Sequence, residues 1–164
     1  MTQTITTNCP VPETSGRRDR LSQGPDVLFA YGTLQFDAVL RALLGRIPER
    51  AAASAPGYRA AALAGRVYPG LVSRACGSPV PGVVLTDLSN EEWRILDRFE
   101  DERYDLREVA LSTGQQGWAY VWSGGDVRPD DWDAAEFQDQ HLEEYAARCA
   151  RLAPNLAAGL PKGE

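Results

Sequence analysis

Short apolar segments that end at glycine or proline constrain the fold of this chain more than any other feature. Residues 27–31 (VLFAY) form a continuous apolar run between Gly24-Pro25 and Gly32, as expected of a buried strand. Further strand candidates closed off by proline or glycine lie at residues 50–54, 58–63, 67–72 and 80–85. Two more strands are predicted at residues 106–111 and 117–122. Short strands separated by turn residues predict a small antiparallel barrel or sandwich.

Helical periodicity appears in three segments. Residues 36–44 have helical apolar spacing and stop at Gly45. Ser89 and Glu92 form a capping box that opens a second helix, predicted to run to about residue 99 or 100, because the serine hydroxyl accepts the N–H three residues later. Residues 134–152 form an amphipathic C-terminal helix, with Pro154 beyond its end. The predicted class is α+β: a small mixed or antiparallel β-barrel flanked by a few helices.

The two ends of the chain differ in character from its centre. Residues 1–24 are polar, contain Pro10, Pro12 and Gly16, and have no apolar periodicity. This composition predicts a disordered leader. The predicted organisation is therefore a leader at 1–24, one domain at 25–153 and a C-terminal tail at 154–164.

Composition and charge limit the kinds of molecule that this chain is expected to bind. A net charge of −6 and a pI near 4.9 argue against nucleic acid, since phosphate binding requires a basic face. No apolar run approaches the roughly 20 residues of a membrane helix, so no membrane partner is expected. The three cysteines contain no C-x-x-C pair, which indicates neither a disulfide framework nor a zinc site and leaves a reducing cytoplasmic compartment as the expectation.

The single histidine limits metal chemistry further. A multi-histidine metal site is excluded, because His141 is the only histidine in the chain. It lies on the apolar stripe of the last predicted helix, which favours a packing role over a catalytic one.

The turn at residues 31–34 (YGTL) is the first candidate site. It joins the buried strand to a helix, and Gly32 permits unusual backbone conformations and a close approach by another group. Successive N–H groups at such a turn can bind an anion such as a carboxylate or phosphate. A purely structural strand-to-helix turn is the alternative interpretation.

Glu100 is the second candidate. On a helix, Trp93, Leu96 and Glu100 share one face, and a carboxylate on an apolar face acquires a raised pKa that suits a general base. Alternatively, Glu100 is solvated at a frayed helix end or pairs with Arg98 or Arg103. The neighbouring acidic residues are expected to be surface charges: Asp97, Asp101 and Glu102.

A row of aromatic residues forms a third feature. Trp118, Tyr120 and Trp122 alternate along one predicted strand and therefore share one face of the sheet. Packing explains the two tryptophans. The Tyr120 hydroxyl can instead point into a pocket.

Taken in order, these segments resemble the motifs of the γ-glutamylcyclotransferase superfamily. Residues 29–34 (FAYGTL) resemble its Tyr-Gly-[Ser/Thr]-Leu motif, and residues 96–100 (LDRFE) resemble the segment that ends in its catalytic glutamate. The intervening signatures are similar to residues 68–71 (YPGL) and 80–84 (VPGVV). Residues 132–145 are similar to the branch named after plant avirulence-induced proteins, beside the γ-glutamylamine cyclotransferases.

This resemblance implies an enzyme that releases 5-oxoproline and a free amine from a small γ-glutamyl substrate, without metal or cofactor. It implies that Glu100 is the general acid/base and that the N–H groups around Gly32, Thr33 and Leu34 hold the α-carboxylate. Tyr31 and Tyr120 are expected to line the pocket. A binding module without turnover and an amide hydrolase remain as alternatives, and the leaving amine and the oligomeric state stay open.

Overall fold

The computed structural model describes residues 20–160. Within that range the chain forms eight strands and four α-helices, with two short 3₁₀ helices at Arg20–Gln23 and Thr33–Gln35. The strands are β1 (Leu28–Ala30), β2 (Arg50–Ala55), β3 (Tyr58–Leu63), β4 (Gly70–Ser73), β5 (Val80–Leu85), β6 (Tyr104–Ala110), β7 (Gln116–Trp122) and β8 (Val127–Asp131). The α-helices are α1 (Asp37–Leu44), α2 (Asn90–Phe99), α3 (Ala134–Gln140) and α4 (Leu142–Ala158).

The strands form one mixed sheet in the order β2-β5-β1-β7-β4-β3-β8, with β6 paired to the remaining edge of β7. β1 and β4 run parallel to β7, while the other pairings are antiparallel. The predicted α+β class and mixed sheet are confirmed. The sheet is not closed into a barrel in the described range, because β1 and β4 share one edge of β7 and the terminal strands β2 and β8 do not pair with each other.

The short strand β1 separates two clusters of the hydrophobic core. Leu28 and Ala30 point to one cluster, which they share with helices α1, α2 and α4. Phe29 points to the opposite cluster, together with Leu71 and Val84. Both faces of β1 are therefore buried, which explains why its sequence is a continuous apolar run without alternation.

Local signals set the ends of the first two α-helices as predicted. α1 stops at Gly45, which adopts the left-handed conformation with a φ of 78°. α2 begins with the capping box, in which the Ser89 hydroxyl accepts the N–H of Glu92 and the Glu92 side chain accepts the N–H of Ser89. The capping box satisfies N–H groups at the start of α2, and the left-handed glycine ends α1.

The C-terminal helix and tail differ from the prediction. The single predicted helix is divided at His141 into α3 and α4, and His141 is exposed beside the Phe137 ring rather than buried in the core. α4 continues through Pro154 to Ala158, so the predicted boundary at 153 is wrong. Leu156 is fully buried, and its carbonyl accepts a hydrogen bond from Arg98. The burial of Leu156 and the hydrogen bond to its carbonyl stabilise the last part of α4, which follows Pro154.

The predicted boundary of the leader is also wrong at its C-terminal end. Arg20–Gln23 is a 3₁₀ helix packed on the domain, and Arg20 is only 5% exposed. Its guanidinium group donates to three backbone carbonyls. The predicted leader at residues 1–19 lies outside the described residues. In the part of the chain that is described, no helix has the length and apolar character needed to cross a membrane.

Candidate active site

A cavity of about 110 Å³ lies where the turn after β1 meets the end of α2. A single buried water needs roughly 10–15 Å³ on this measure, so the cavity has the scale of a small molecule. Its wall includes the turn Tyr31–Leu34 and the side chain of Glu100. The other polar or aromatic residues of the wall are Phe29, Tyr68, Phe99, Asp101, Tyr104, Tyr120, Tyr145 and Arg148.

The turn after β1 presents backbone donors to this cavity. Within residues 20–160, the N–H groups of Gly32, Thr33 and Leu34 have no intramolecular acceptor. The Gln35 side chain donates a 2.6 Å hydrogen bond to the Tyr31 carbonyl and so holds the turn in place. A Cβ atom at Gly32 would lie 3.0 Å from the Cγ atom of Pro69, so a side chain at this position would crowd the Pro69 ring.

Glu100 lies at the C-terminal end of α2, at the wall of the cavity. Its N–H donates to the Leu96 carbonyl at 3.0 Å, while its own backbone is already extended, with a φ of −72° and a ψ of 143°. Trp93 and Leu96 are buried on the same side of α2, and Glu100 is half-buried. The two cations considered as alternative partners are engaged elsewhere, Arg98 with the Leu156 carbonyl and Arg103 with Asp101.

Four tyrosines from different parts of the chain surround this carboxylate. Burial raises the pKa of each hydroxyl above its ordinary value, and the negative charge of Glu100 raises each pKa further: Tyr31, Tyr104, Tyr120 and Tyr145. For Tyr145, a hydrogen bond with the Thr33 side chain acts in the opposite direction. All four hydroxyls are therefore neutral at physiological pH, and the cavity wall around Glu100 carries no phenolate charge.

The Tyr31 hydroxyl bonds with backbone atoms of two strands. It donates to the Tyr120 carbonyl at 2.6 Å and accepts from the Leu71 N–H at 3.1 Å. These atoms lie where β1 and β4 diverge along β7, between the pairs Leu28–Trp118 and Leu71–Val121. Tyr31 thus satisfies two buried backbone groups that the divergence of the strands leaves unpaired, while its ring lines the cavity.

The Tyr120 hydroxyl points to a charged pair behind the cavity. It donates to Oδ1 of Asp97 at 2.8 Å, and the same carboxylate lies 2.9 Å from Nε of Arg20. Asp97 is 8% exposed, so its prediction as a surface charge is wrong. The signal was present in the sequence, since Asp97 follows the buried Trp93 by four residues and therefore shares its face of α2.

Asp101 also departs from the prediction of a surface charge. It is half-buried at the cavity wall, where its Oδ2 atom accepts a 3.0 Å hydrogen bond from the Tyr68 hydroxyl. Glu102 is exposed, as predicted. The contributions of Tyr68, Tyr104, Tyr145 and Arg148 to the wall were missed, because they come from a loop, β6 and α4, which only the tertiary fold brings together.

Comparison with known proteins identifies the family. The model of the family described as "Gamma-glutamyl cyclotransferase, AIG2-like" matches residues 28–140. The chain belongs to this family. The matched range contains the turn at Gly32 and Glu100, and the resemblance drawn from the sequence motifs is confirmed.

Plant proteins are among the similar members of this family. "AIG2-like protein D" of Arabidopsis thaliana is 36% identical over 146 residues, which cover 84% of this chain and 93% of that protein. "AIG2-like protein C" of the same plant is 34% identical over 136 residues, or 78% of each chain.

Solved structures have the same fold. A solution structure of an Arabidopsis thaliana protein superimposes with a TM-score of 0.56 at 25% identity, covering 83% of this chain and 94% of that one. A crystal structure of an uncharacterized protein from Pyrococcus horikoshii gives a TM-score of 0.52 at 18% identity, covering 73% and 96%. The second likeness concerns the fold alone.

Proposed function

We propose that this protein is a γ-glutamyl cyclotransferase-type enzyme that converts a γ-glutamyl amine or amide into 5-oxoproline and a free amine. The observation that carries the proposal is that one cavity of about 110 Å³ joins a carboxylate, Glu100, to the turn Gly32–Leu34, whose N–H groups have no acceptor within residues 20–160. Membership of the γ-glutamyl cyclotransferase, AIG2-like family supports it.

The turn would bind the α-carboxylate of the γ-glutamyl group. Three successive N–H groups, at Gly32, Thr33 and Leu34, have no acceptor in the described part of the chain and suit an anion that arrives with the substrate. Hydrogen bonds from N–H groups to a charged acceptor are stronger than those to a neutral one. Binding there would fix the orientation of the glutamyl group and leave its far end near Glu100.

In the proposed reaction, the α-amine of the substrate attacks its own γ-carbonyl carbon. A C–N bond forms to close the five-membered ring, and the C–N bond to the leaving amine breaks. The α-ammonium group loses one proton before the attack and a second when the tetrahedral intermediate becomes the ring amide, and the leaving nitrogen gains both and departs as an ammonium ion. Glu100 accepts protons from the α-nitrogen and delivers them to the leaving nitrogen. No net proton is consumed, and a single residue therefore serves as base and then as acid.

Restriction of the substrate would provide much of the rate. The amine and the carbonyl belong to one molecule, so holding the conformer in which they meet removes the entropic cost of bringing them together. The rings of Tyr31 and Tyr120 would shape this cavity, while their hydroxyls are occupied by backbone and by Asp97. The proposed chemistry needs no metal or cofactor.

A panel of γ-glutamyl compounds tests the proposal. Purified protein is incubated with γ-glutamyl amines, ε-(γ-glutamyl)-lysine, γ-glutamyl amino acids and glutathione, and the products are separated. Release of 5-oxoproline with the free amine from at least one compound is expected. Free glutamate would indicate hydrolysis through an activated water, and unchanged substrate that nevertheless binds would indicate a binding module. Either result would overturn the proposal.

A further inference from the structure

We propose that Arg20 is a positioning residue that holds Glu100 in its working geometry by fixing the chain on both sides of it. This inference rests on the proposed function. Arg20 lies some eighty residues before Glu100 in the sequence and outside the range 28–140 that the family model matches, so no motif draws attention to it.

The contacts of Arg20 bracket Glu100 closely. One terminal nitrogen donates to the carbonyls of Asp101 and Tyr104, at 3.0 and 2.8 Å, and the other donates to the carbonyl of Asp97 at 2.7 Å. The acceptors thus lie three residues before Glu100, one residue after it and four residues after it. A planar guanidinium group fixes its donors in one rigid geometry, so these three carbonyls are held relative to one another.

The segment that carries Glu100 requires such an anchor. α2 ends at Phe99, and the backbone of Glu100 is extended, so the helix no longer determines the direction of this side chain. The last carbonyls of a helix also have no intrahelical donor. The cation of Arg20 satisfies the Asp97 carbonyl and lies at the negative end of the helix dipole, where a positive charge is favourable.

The charge of Arg20 is balanced within the same cluster. Asp97 pairs with it at 2.9 Å and is 8% exposed, against 5% for Arg20. The guanidinium group lies 5.1 Å from the centre of the Tyr120 ring, and that ring lines the cavity. Arg20 therefore lies one aromatic ring away from the cavity, where it can orient Glu100 without touching the substrate.

Variants can separate positioning from general stability. Arg20→Met alone leaves the Asp97 carboxylate buried without its cation, which is strongly destabilising. The double variant Arg20→Met/Asp97→Asn removes both charges and keeps an acceptor for the Tyr120 hydroxyl. Gln23→Ala is the matched control, because the Gln23 side chain joins the same 3₁₀ helix to the Leu106 carbonyl and, among the described residues, its hydrogen bonds go to the Arg20 and Leu106 carbonyls rather than to residues 97–104.

Two measurements are made on the full chain. Hydrogen exchange is followed at the amides of Glu100, Arg103 and Tyr104, which are hydrogen-bonded within the segment. We expect the double variant to exchange there about 10-fold faster or more, because local opening controls exchange. Its kcat should fall by about 10- to 100-fold with KM within about 3-fold, since small misplacement of a catalytic group affects the rate more than binding. Gln23→Ala should match wild type in both.

Each other result decides against the inference. Wild-type exchange and kcat in the double variant would overturn it, as would an equal loss of kcat in Gln23→Ala or a change confined to KM. If the double variant does not fold, Arg20→Lys is measured instead, because lysine keeps the positive charge but cannot bind three carbonyls at once. Wild-type exchange and kcat in Arg20→Lys would contradict the inference. Absence of turnover in the wild-type protein would overturn the proposed function. The exchange rates would still test whether Arg20 anchors the segment that carries Glu100.

Discussion

The hydroxyl of Tyr31 donates a 2.6 Å hydrogen bond to the backbone carbonyl of Tyr120. This bond joins the end of β1 to the middle of β7, at the point where β1 and β4 diverge along the same edge. The turn that begins at Gly32 is thereby fixed to the sheet immediately before the N–H groups that face the cavity. A tyrosine of the YGTL segment thus acts on the site through the backbone that it supports.

Replacement of Tyr31 by phenylalanine should reduce stability more than catalysis. The Tyr120 carbonyl and the Leu71 N–H would lose their partner, and an unsatisfied buried group costs about 1–3 kcal/mol. Because the aromatic ring remains in the cavity wall, kcat should stay within about 3-fold of wild type. Urea unfolding and steady-state kinetics measure the two effects.

Tyr58→Phe is the control for this variant, because in the described residues no hydrogen bond engages the Tyr58 hydroxyl. Its free energy of unfolding should change little. A large loss of kcat in Tyr31→Phe with unchanged stability would instead assign the hydroxyl to the substrate.

Replacement of Gly32 by valine should abolish substrate binding. Its Cβ atom alone would lie 3.0 Å from Pro69, and a β-branched side chain would displace the turn further. Isothermal titration with the best γ-glutamyl compound, under conditions of slow turnover, measures the loss.

Gly125→Val is the matched control, since a Cβ atom at Gly125 meets no atom within 4 Å.

A substrate with an amidated α-carboxylate should bind the wild type more weakly by about 1.5–3 kcal/mol, because charge-assisted hydrogen bonds are lost. Full affinity for that amide would show that the turn does not bind the carboxylate.

The buried thiol of Cys149 should make stability fall at alkaline pH. Burial raises its pKa from 9.0 to about 12, with the charge of Glu100 contributing in the same direction and Arg148 opposing it. The unfolded state therefore loses this proton near pH 9 while the folded state retains it. Stability from this thiol is complete below pH 9 and declines as the pH rises toward 12, by up to about 1.4 kcal/mol per pH unit.

Urea unfolding between pH 8 and pH 10.5 tests this decline. The difference in stability between wild type and Cys149→Ala should shrink as the pH rises. The exposed Cys76 supplies the control, and Cys76→Ala should leave the pH dependence unchanged. A constant difference between wild type and Cys149→Ala would contradict the assignment.

Features encoded locally could be predicted from the sequence. The continuous apolar run predicted β1, the Ser89 capping box predicted the start of α2, and the spacing of Trp93 and Leu96 predicted the buried face of that helix. Each of these depends on neighbours within a few residues.

Features that depend on distant partners could not be predicted in this way. The exposed residues of β8 contain Pro129 and no apolar alternation, and they form a strand only because β3 pairs with them. Arg20 lies in a polar segment, and its burial depends on carbonyls about eighty residues away. α4 continues past Pro154 because Leu156 enters the core.

The most direct test of the proposed chemistry is the turnover of Glu100→Gln. The amide matches the carboxylate in shape but cannot accept and return a proton, so kcat for 5-oxoproline release should fall by at least about 10²-fold. The melting temperature and substrate binding should be retained. Glu102→Gln, at an exposed position two residues away, should have wild-type kcat. A Glu100→Gln protein that releases 5-oxoproline at close to the wild-type rate would contradict the assignment of Glu100 as the general acid/base.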